Sequence, residues 1–171
     1  MRIYLVGFMG AGKTTVGGAL ADRLGVPFAD LDEAIEARAG RSIRAVFEES
    51  GEPEFRRLEW EALGDLASRP ELAGAVIATG GGTIAFEACA RLLAATGLTV
   101  WLNPPFATIA GRIGGLGKRD RPLFRDETQT LALYRQRLAA YRRCDLTVDV
   151  APGETAPEVA ARIAHRIAER R

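Results

Sequence analysis

The stretch MRIYLVGFMGAGKTT at the start of the chain constrains the fold more than any other feature. It passes from strand-like apolar residues into glycines and then into Lys13, and Gly7 to Thr14 matches G-x-x-x-x-G-K-[ST]. Glycines at a turn between a strand and a helix let successive backbone N–H groups point at one place, where the positive end of the helix adds to them. The stretch therefore predicts a turn that binds phosphate groups.

The residue types at the end of this turn suit a nucleotide. Two of the 23 basic residues are lysines, Lys13 and Lys118. A lysine ammonium is a compact point charge that can reach the β- and γ-phosphates, whereas the planar arginine fork fits such a space poorly. The Thr14 hydroxyl can bind a Mg²⁺ ion that bridges phosphate oxygens. A glycine turn with an incidental lysine is the alternative, and the strand before it and the helix after it disfavour that alternative.

Strand-like segments alternate with helical segments along the chain, which predicts one α/β domain over 1–171, with a parallel sheet covered by helices on both faces. We expect strands at 2–8, 26–32, 75–82, 98–105 and 145–150 and helices at 13–25, 33–69, 83–97, 106–113, 127–143 and 156–170. The long helical segment has predicted breaks at Gly40 and Gly51. It and the arginine-rich stretch 114–126 interrupt the alternation, as functional insertions often do.

Composition narrows the possible partners. The net charge of +1 gives no broad positive surface for nucleic acid or anionic lipid. Cys89 and Cys144 lie far apart in a chain without a recognisable secretory signal, so we expect reduced thiols rather than a disulfide or a metal site. A cytoplasmic location is the corresponding expectation.

A second set of residues indicates an acceptor site. FADLD at the end of the second predicted strand places Asp30 and Asp32 at the carboxyl edge of the sheet, where they could act on a metal-bound water or a hydroxyl. Asp32 could equally be the N-cap of the next helix. Arg56 and Glu59 share a helical face that could be ordinary charged surface. Gly80 to Gly82 could be a tight turn or a backbone that a ligand approaches closely.

Taken together, these segments resemble the shikimate kinase family, a branch of the nucleoside monophosphate kinase-like P-loop proteins. The matching segments, from residue 7 to about 142 and in the family's order, are GFMGAGKTT, FADLD, RSIRAVFEESGEPEFRRLE, IATGGGT, RPLF and RLAAYR.

The resemblance implies a three-layer P-loop NTPase fold whose five parallel strands have the order 2-3-1-4-5. It implies a substrate-binding helical segment at 33–61 and a lid at 113–126 that closes over ATP. The implied reaction is transfer of the γ-phosphoryl group of ATP to the 3-hydroxyl of shikimate, on the pathway to chorismate and the aromatic amino acids. The implied protein is a monomer that uses ATP and Mg²⁺.

The resemblance also assigns residues to roles. Catalytic roles fall to Lys13, Asp32 and Arg121. The implied nucleotide-binding residues are Gly10, Ala11, Gly12, Lys13, Thr14, Thr15, Arg112, Arg121 and Pro157. The implied shikimate-binding residues are Asp32, Arg56, Gly80, Gly81, Gly82 and Arg137, with Glu59 holding Arg56. The implied metal-binding residues are Thr14 and Asp30.

Two alternatives keep the fold and change the function. One is a kinase for gluconate or a nucleoside monophosphate, since gluconate would also need arginines for its carboxylate. The combination of FADLD with TGGG favours shikimate over it. The other is an inactive nucleotide-binding relative, and the presence of Lys13, Asp32 and Arg121 argues against it.

Overall fold

A five-stranded parallel sheet forms the centre of the computed structural model, which describes residues 1–115 and 126–170. The strands are β1 (Arg2–Val6), β2 (Phe28–Asp30), β3 (Val76–Ala78), β4 (Gly97–Asn103) and β5 (Leu146–Asp149). Their order across the sheet is β2-β3-β1-β4-β5, with parallel pairing between neighbours. This confirms the predicted strand order.

Helices cover both faces of the sheet. They are α1 (Lys13–Leu24), α2 (Leu31–Ala39), α3 (Ile43–Ser68), α4 (Glu87–Thr96), α5 (Phe106–Gly115), α6 (Glu127–Tyr141) and α7 (Ala156–Ala168). Successive side chains of β1 enter two different apolar clusters: Tyr4 and Val6 belong to one, Ile3 and Leu5 to the other. Because a strand's side chains alternate between faces, this division shows that both faces are buried, as the three-layer prediction requires.

The predicted breaks in the long polar segment are confirmed. Gly40 ends α2 in the left-handed conformation (φ 67°), and Gly51 interrupts α3 with φ 77° and ψ 178°. The kink at Gly51 is followed by Pro53 at the start of the next helical stretch, where a missing N–H costs little. The part of α3 after the kink contains Arg56 and Glu59.

Several predicted boundaries are wrong: the first, third and fourth strands end at Val6, Ala78 and Asn103, before the expected residues 8, 82 and 105. The second strand ends at Asp30, and Asp32 already belongs to α2, because the Asp30 side chain caps that helix. The helix expected from residue 83 begins at Glu87, after a single 3₁₀ turn at Thr83–Ala85. The predicted lid at 113–126 overlaps the end of α5, and its residues 116–125, including Arg121, lie outside the described residues.

The outer edge of β5 is covered by arginines of α7 and of the residues just after it. Arg162, Arg166 and Arg170, spaced four residues apart, donate to the carbonyl oxygens of Asp149, Thr147 and Asp145 at 2.5, 2.5 and 2.8 Å. These alternate carbonyls point away from β4, and an uncovered row of them could pair with another strand. Within the described part of the chain, no helix combines the length and apolar character needed to cross a membrane.

Candidate active site

The phosphate-binding turn predicted from the sequence connects β1 to α1. Gly10 and Gly12 have φ angles of 78° and 93°, which a residue with a side chain adopts only with strain. Lys13 begins α1, and its Nζ donates to the carbonyl oxygens of Gly7 and Phe8 at 2.8 and 3.0 Å. The ammonium therefore lies over the same turn whose N–H groups and helix end attract anions.

Asp30 links this turn to the start of α2. Its Oδ2 accepts a hydrogen bond from the Thr14 hydroxyl at 2.7 Å, and its Oδ1 accepts one from the backbone N–H of Asp32 at 2.9 Å. Asp30 is thus the N-cap of α2, and the idea that Asp32 fills that position is wrong. The Asp32 side chain is therefore not needed for capping and lies in the first turn of α2.

Asp32 is a carboxyl group with a raised pKa. Loss of hydration among the surrounding protein atoms, reinforced by the negative charge of Asp30, raises the pKa of Asp32 to about 6, although Lys13 opposes the shift. The residue still meets solvent in the open cleft. A carboxylate with a pKa near 6 is ionised at neutral pH and is a stronger proton acceptor than an ordinary aspartate.

Arg56 and Glu59 form a buried ion pair on α3. Arg56 Nη1 donates to Glu59 Oε2 at 2.6 Å, and the Thr83 hydroxyl donates to Glu59 Oε1 at the same distance. The Glu59 side chain is fully buried and that of Arg56 is 13% exposed. Burial acts against the charge of Arg56, but Glu59 and Glu52 raise its pKa above the ordinary value. These two residues are therefore not ordinary charged surface.

Gly82 is the point where two guanidinium groups meet. A methyl group on Gly82 would lie 2.8 Å from Arg56 Nη2 and 2.9 Å from Arg137 Nη2. Arg137 comes from α6, is 7% exposed, and stacks over the Phe8 ring at 5.6 Å. Within residues 1–115 and 126–170, no carboxylate forms an ion pair with Arg137. Glu59, the buried carboxylate here, is therefore paired with Arg56, and the neighbouring Arg137 guanidinium has no such partner in this part of the chain.

A single cleft of about 1110 Å³ joins these groups. The sequence-predicted residues that line it are Gly10, Ala11, Gly12, Lys13, Thr14, Thr15, Asp30, Asp32, Arg56, Glu59, Gly80, Gly81, Gly82, Arg112 and Arg137. Pro157 is exposed on the first turn of α7 and is not among the lining residues. The cleft therefore extends from the phosphate-binding turn to the paired arginines.

The end of the cleft beyond the phosphate-binding turn has a mixed wall. Arg112 donates to the carbonyl oxygen of Gly10 at 2.9 Å, which places its guanidinium beside the turn. Val150, Ala156 and Val159 line the same cleft. A flat cationic group with apolar side chains in the same cleft suits the stacking of a planar base.

Sequence reasoning missed two groups near the site. Glu36 lines the cleft, and its carboxylate accepts a hydrogen bond from the backbone N–H of Ile43 at 2.9 Å. Tyr141 is fully buried and donates to the carbonyl oxygen of Gly81. The spacing of four residues between Arg137 and Tyr141 on α6 could have indicated the second group.

Thr14 and Asp30 are the residues that the sequence predicts as metal ligands, and both line the cleft. A cluster of three or more His, Cys, Asp or Glu side chains suited to a metal does not occur in the described ranges 1–115 and 126–170. Thr14 and Asp30 nevertheless place a hydroxyl and a carboxylate beside the phosphate-binding turn. Such a small set of oxygen donors fits Mg²⁺, which usually keeps several waters and binds substrate phosphates.

Comparisons with known proteins agree on one family. The family model described as shikimate kinase matches residues 9–168. Shikimate kinase of Aquifex aeolicus is 40% identical over 161 residues, which are 92% of this chain and 90% of that protein. Shikimate kinase of Geobacter sulfurreducens is 41% identical over 171 residues, with 98% and 91% covered. The structure of Acinetobacter baumannii shikimate kinase in complex with shikimate matches with a TM-score of 0.91 at 36% identity, covering 99% of this chain and 94% of that one.

Proposed function

The chain belongs to the shikimate kinase family, and from that premise we propose that it transfers the γ-phosphoryl group of ATP to the 3-hydroxyl of shikimate. The observation that supports this most is the pair of guanidinium groups at Gly82, of which Arg56 is paired with the buried Glu59 and Arg137 has no carboxylate partner among the described residues. The excess positive charge suits a ligand carboxylate, which arginine forks bind with defined geometry. Shikimate is a small acid that carries hydroxyl groups, so it fits a site with arginines and Asp32 in one cleft.

The nucleotide part of the proposal depends on the turn after β1. Backbone N–H groups from Gly10 to Thr15 and the positive end of α1 would bind the phosphates of ATP, and Lys13 would exchange its carbonyl partners for the β- and γ-phosphates. Arg112 would stack on the adenine. Pro157 stays a proposed adenine contact that needs the exposed first turn of α7 to approach the base.

Thr14 and Asp30 would hold Mg²⁺ in this proposal. The ion, when bound, would neutralise negative charge on the phosphate oxygens. Asp30 would keep its capping bond to the backbone of Asp32 through its other oxygen, so that the metal site and the start of α2 remain connected. This connection keeps the metal-binding carboxylate and the proposed proton acceptor at a constant separation.

Asp32 would act on the attacked hydroxyl. In the proposed step, the 3-hydroxyl oxygen of shikimate forms a bond to the γ-phosphorus while the bond from that phosphorus to the bridging oxygen of ADP breaks. The hydroxyl proton passes to the Asp32 carboxylate, whose pKa of about 6 makes it a suitable acceptor. Because phosphoryl transfer needs little covalent chemistry from the protein, orientation of the hydroxyl is the larger part of this role.

The acceptor end would be held by Arg56 and Arg137 through the shikimate carboxylate, with Glu59 fixing Arg56. The backbone of Gly80 to Gly82 would form the wall of the pocket, since a side chain on Gly82 would collide with the two arginines and one on Gly80 with the Thr83 hydroxyl. The helical segment 33–61 would supply most of this end of the site. Arg121 and the lid at 113–126 are proposed, from the sequence alone, to close over ATP and to contact the transferring phosphoryl group.

The test is an ADP-release assay in which shikimate, gluconate and nucleoside monophosphates are offered in parallel. We expect shikimate-dependent ADP release and incorporation of phosphate at the 3-hydroxyl, identified by NMR of the product. The same assay is run on Arg137→Ala, which removes a proposed ligand of the shikimate carboxylate. Its matched arginine control is Arg91→Ala, which changes an exposed residue of α4. Preferential phosphorylation of gluconate or a nucleotide would contradict the proposal.

A monomeric state and a cytoplasmic location belong to the same proposal. Sedimentation velocity tests the monomeric state.

A further inference from the structure

Tyr141 is a buried polar residue to which the proposed reaction gives no role. It ends α6, four residues after Arg137, and its side chain is fully buried. Its ring stacks on Trp101 with centroids 5.6 Å apart and an interplanar angle of 28°. Its hydroxyl donates to the carbonyl oxygen of Gly81 at 2.5 Å, across 60 residues of sequence. The stacked ring leaves the hydroxyl little freedom to move away from this acceptor.

The carbonyl group that Tyr141 holds lies in the middle of the three-glycine segment. The flanking carbonyls of Gly80 and Gly82 accept from the backbone N–H groups of Thr83 and Ala85 at 3.2 and 3.0 Å, within the local turn. The Gly81 carbonyl accepts instead from the Tyr141 side chain. The middle peptide is therefore tied to α6, the helix that supplies Arg137, and the outer two are tied to their own turn.

Gly81 also lies between the two halves of the cleft. A methyl group on Gly81 would be 3.1 Å from the backbone nitrogen of Met9, in the phosphate-binding turn, and 3.4 Å from Arg137 Nη1. Burial raises the pKa of Tyr141, and the charge of the adjacent Arg137, with a hydrogen bond, opposes the rise. Tyr141 thus binds the peptide beside which the Arg137 guanidinium lies, and it follows Arg137 by one helical turn on α6.

We propose that Tyr141 is a positioning residue that holds the Gly81 peptide and the Arg137 guanidinium in the arrangement required to bind the acceptor's carboxylate. Arg137 has no carboxylate partner in the described part of the chain, so its position depends on neighbours of this kind. The inference rests on the proposed function and adds to it a residue that does not touch the substrate. The inference predicts that removing the Tyr141 hydroxyl weakens binding of the acid acceptor and leaves ATP binding unchanged, since the nucleotide contacts come from other residues.

Tyr141→Phe tests the inference because it removes one oxygen atom and keeps the ring that stacks on Trp101. Tyr4→Phe is the matched control: Tyr4 is also fully buried, and its hydroxyl is hydrogen-bonded to Thr96 at 2.7 Å, away from the cleft lining. The measurements are shikimate binding by calorimetry without nucleotide, the KM values for shikimate and ATP, and the unfolding midpoint of each variant.

For Tyr141→Phe we expect the dissociation constant and KM for shikimate to rise roughly threefold to tenfold, as the loss of one hydrogen bond predicts, with the KM for ATP nearly unchanged. Tyr4→Phe should lower the unfolding midpoint and leave both KM values at the wild-type level. Unchanged shikimate binding in Tyr141→Phe would overturn the inference, as would equal changes in the KM values for shikimate and ATP.

A second measurement covers the case in which Tyr141→Phe does not fold. In the wild type, we expect the hydroxyl proton of Tyr141 to exchange slowly, and its NMR resonance should move when shikimate saturates the protein, while that of Tyr4 stays in place. A Tyr141 resonance whose chemical shift stays unchanged when shikimate is added would contradict the inference. If the wild type binds shikimate and Tyr141→Phe has the same dissociation constant and KM for it, this inference alone is overturned. If the wild type neither binds nor phosphorylates shikimate, the proposed function is overturned as well.

Discussion

The carboxylate of Glu59 is fully buried and accepts a 2.6 Å hydrogen bond from Arg56, which lies one helical turn earlier on α3. Its other oxygen accepts from Thr83 at the end of the three-glycine segment. Glu59 therefore connects the helix that supplies one arginine to the backbone on which both arginines rest. Removing its charge should affect both stability and acceptor binding.

For Glu59→Gln we expect the free energy of unfolding to fall by about 3 kcal/mol, at the low end for a broken buried ion pair, because Arg56 keeps, among the described residues, only the exposed Glu52 as a carboxylate partner. The KM for shikimate should rise by more than the KM for ATP. Urea unfolding and steady-state kinetics measure the two effects. Glu54→Gln, which changes a half-buried partner of the exposed Arg57, is the control and should match the wild type in both. Wild-type acceptor binding in Glu59→Gln would show that Arg56 does not need this carboxylate.

Asp32→Asn should lower kcat by roughly 10²- to 10⁴-fold while ATP still binds, because the amide cannot accept the hydroxyl proton. In the wild type, kcat/KM should fall as the pH drops through about 6, where Asp32 becomes protonated. The residual rate of Asp32→Asn should not show this step. A pH–rate profile of both proteins makes the comparison, and a wild-type profile that is flat between pH 5 and pH 7 would exclude Asp32 as the titrating group.

The same raised pKa has a consequence for stability. Because the folded protein holds the Asp32 proton more tightly than the unfolded chain, whose carboxyl has a pKa of 3.8, ionisation of Asp32 destabilises the fold. Asp32→Asn should therefore unfold at a higher temperature than the wild type above pH 6, and the difference should disappear below about pH 4. A thermal melt of Asp32→Asn that is lower than the wild type at pH 8 would contradict this sign.

Arg137→Ala and Arg112→Ala should separate the two ends of the cleft. Arg137 approaches the glycine segment and Arg112 the phosphate-binding turn. We expect Arg137→Ala to raise the KM for shikimate by tenfold or more with little change for ATP, since a charge-assisted contact contributes about 1.5–3 kcal/mol. Arg112→Ala should show the opposite pattern. If either variant changed the KM values for shikimate and ATP equally, the assignment of Arg137 to the acceptor end and Arg112 to the nucleotide end would be wrong.

The arginines over β5 give a prediction outside the active site. Arg166→Ala combined with Arg170→Ala leaves the outward carbonyls of Thr147 and Asp145 without their guanidinium partners. We expect stability to fall by roughly 1 kcal/mol and the protein to associate through its exposed strand edge at high concentration. Sedimentation velocity over a concentration series measures the association, with Arg91→Ala as control. A double variant that stays at the wild-type sedimentation coefficient would contradict a protective role for these arginines.

The fold and the nucleotide end of the cleft could be predicted because their signals are local. The phosphate-binding turn lies in consecutive residues between a strand and a helix. The alternation of elements predicts the parallel sheet, and the family resemblance supplies its strand order. Gly40 and Gly51 break the polar segment where their left-handed angles are needed, which is again a property of single residues.

The details that the sequence predicted wrongly or missed depend on competition between two similar side chains or on contacts between residues far apart in the sequence. Asp30 and Asp32 are both good caps, and the choice between them follows from the Thr14 hydroxyl that fixes the Asp30 side chain. The hydrogen bond from Tyr141 to Gly81 joins residues 60 positions apart and has no periodic signal across that distance. Glu36 reaches the start of α3 across the Gly40 turn, which only the folded backbone reveals.

The most direct test is a crystal structure of the protein with shikimate and a non-hydrolysable ATP analogue. We expect the shikimate carboxylate to lie about 3 Å from guanidinium nitrogens of both Arg56 and Arg137, with the 3-hydroxyl within hydrogen-bonding distance of Asp32 and directed at the γ-phosphorus. An acid bound elsewhere in the cleft, or bound with its carboxylate towards Asp32 and its hydroxyls towards the arginines, would contradict the proposed site.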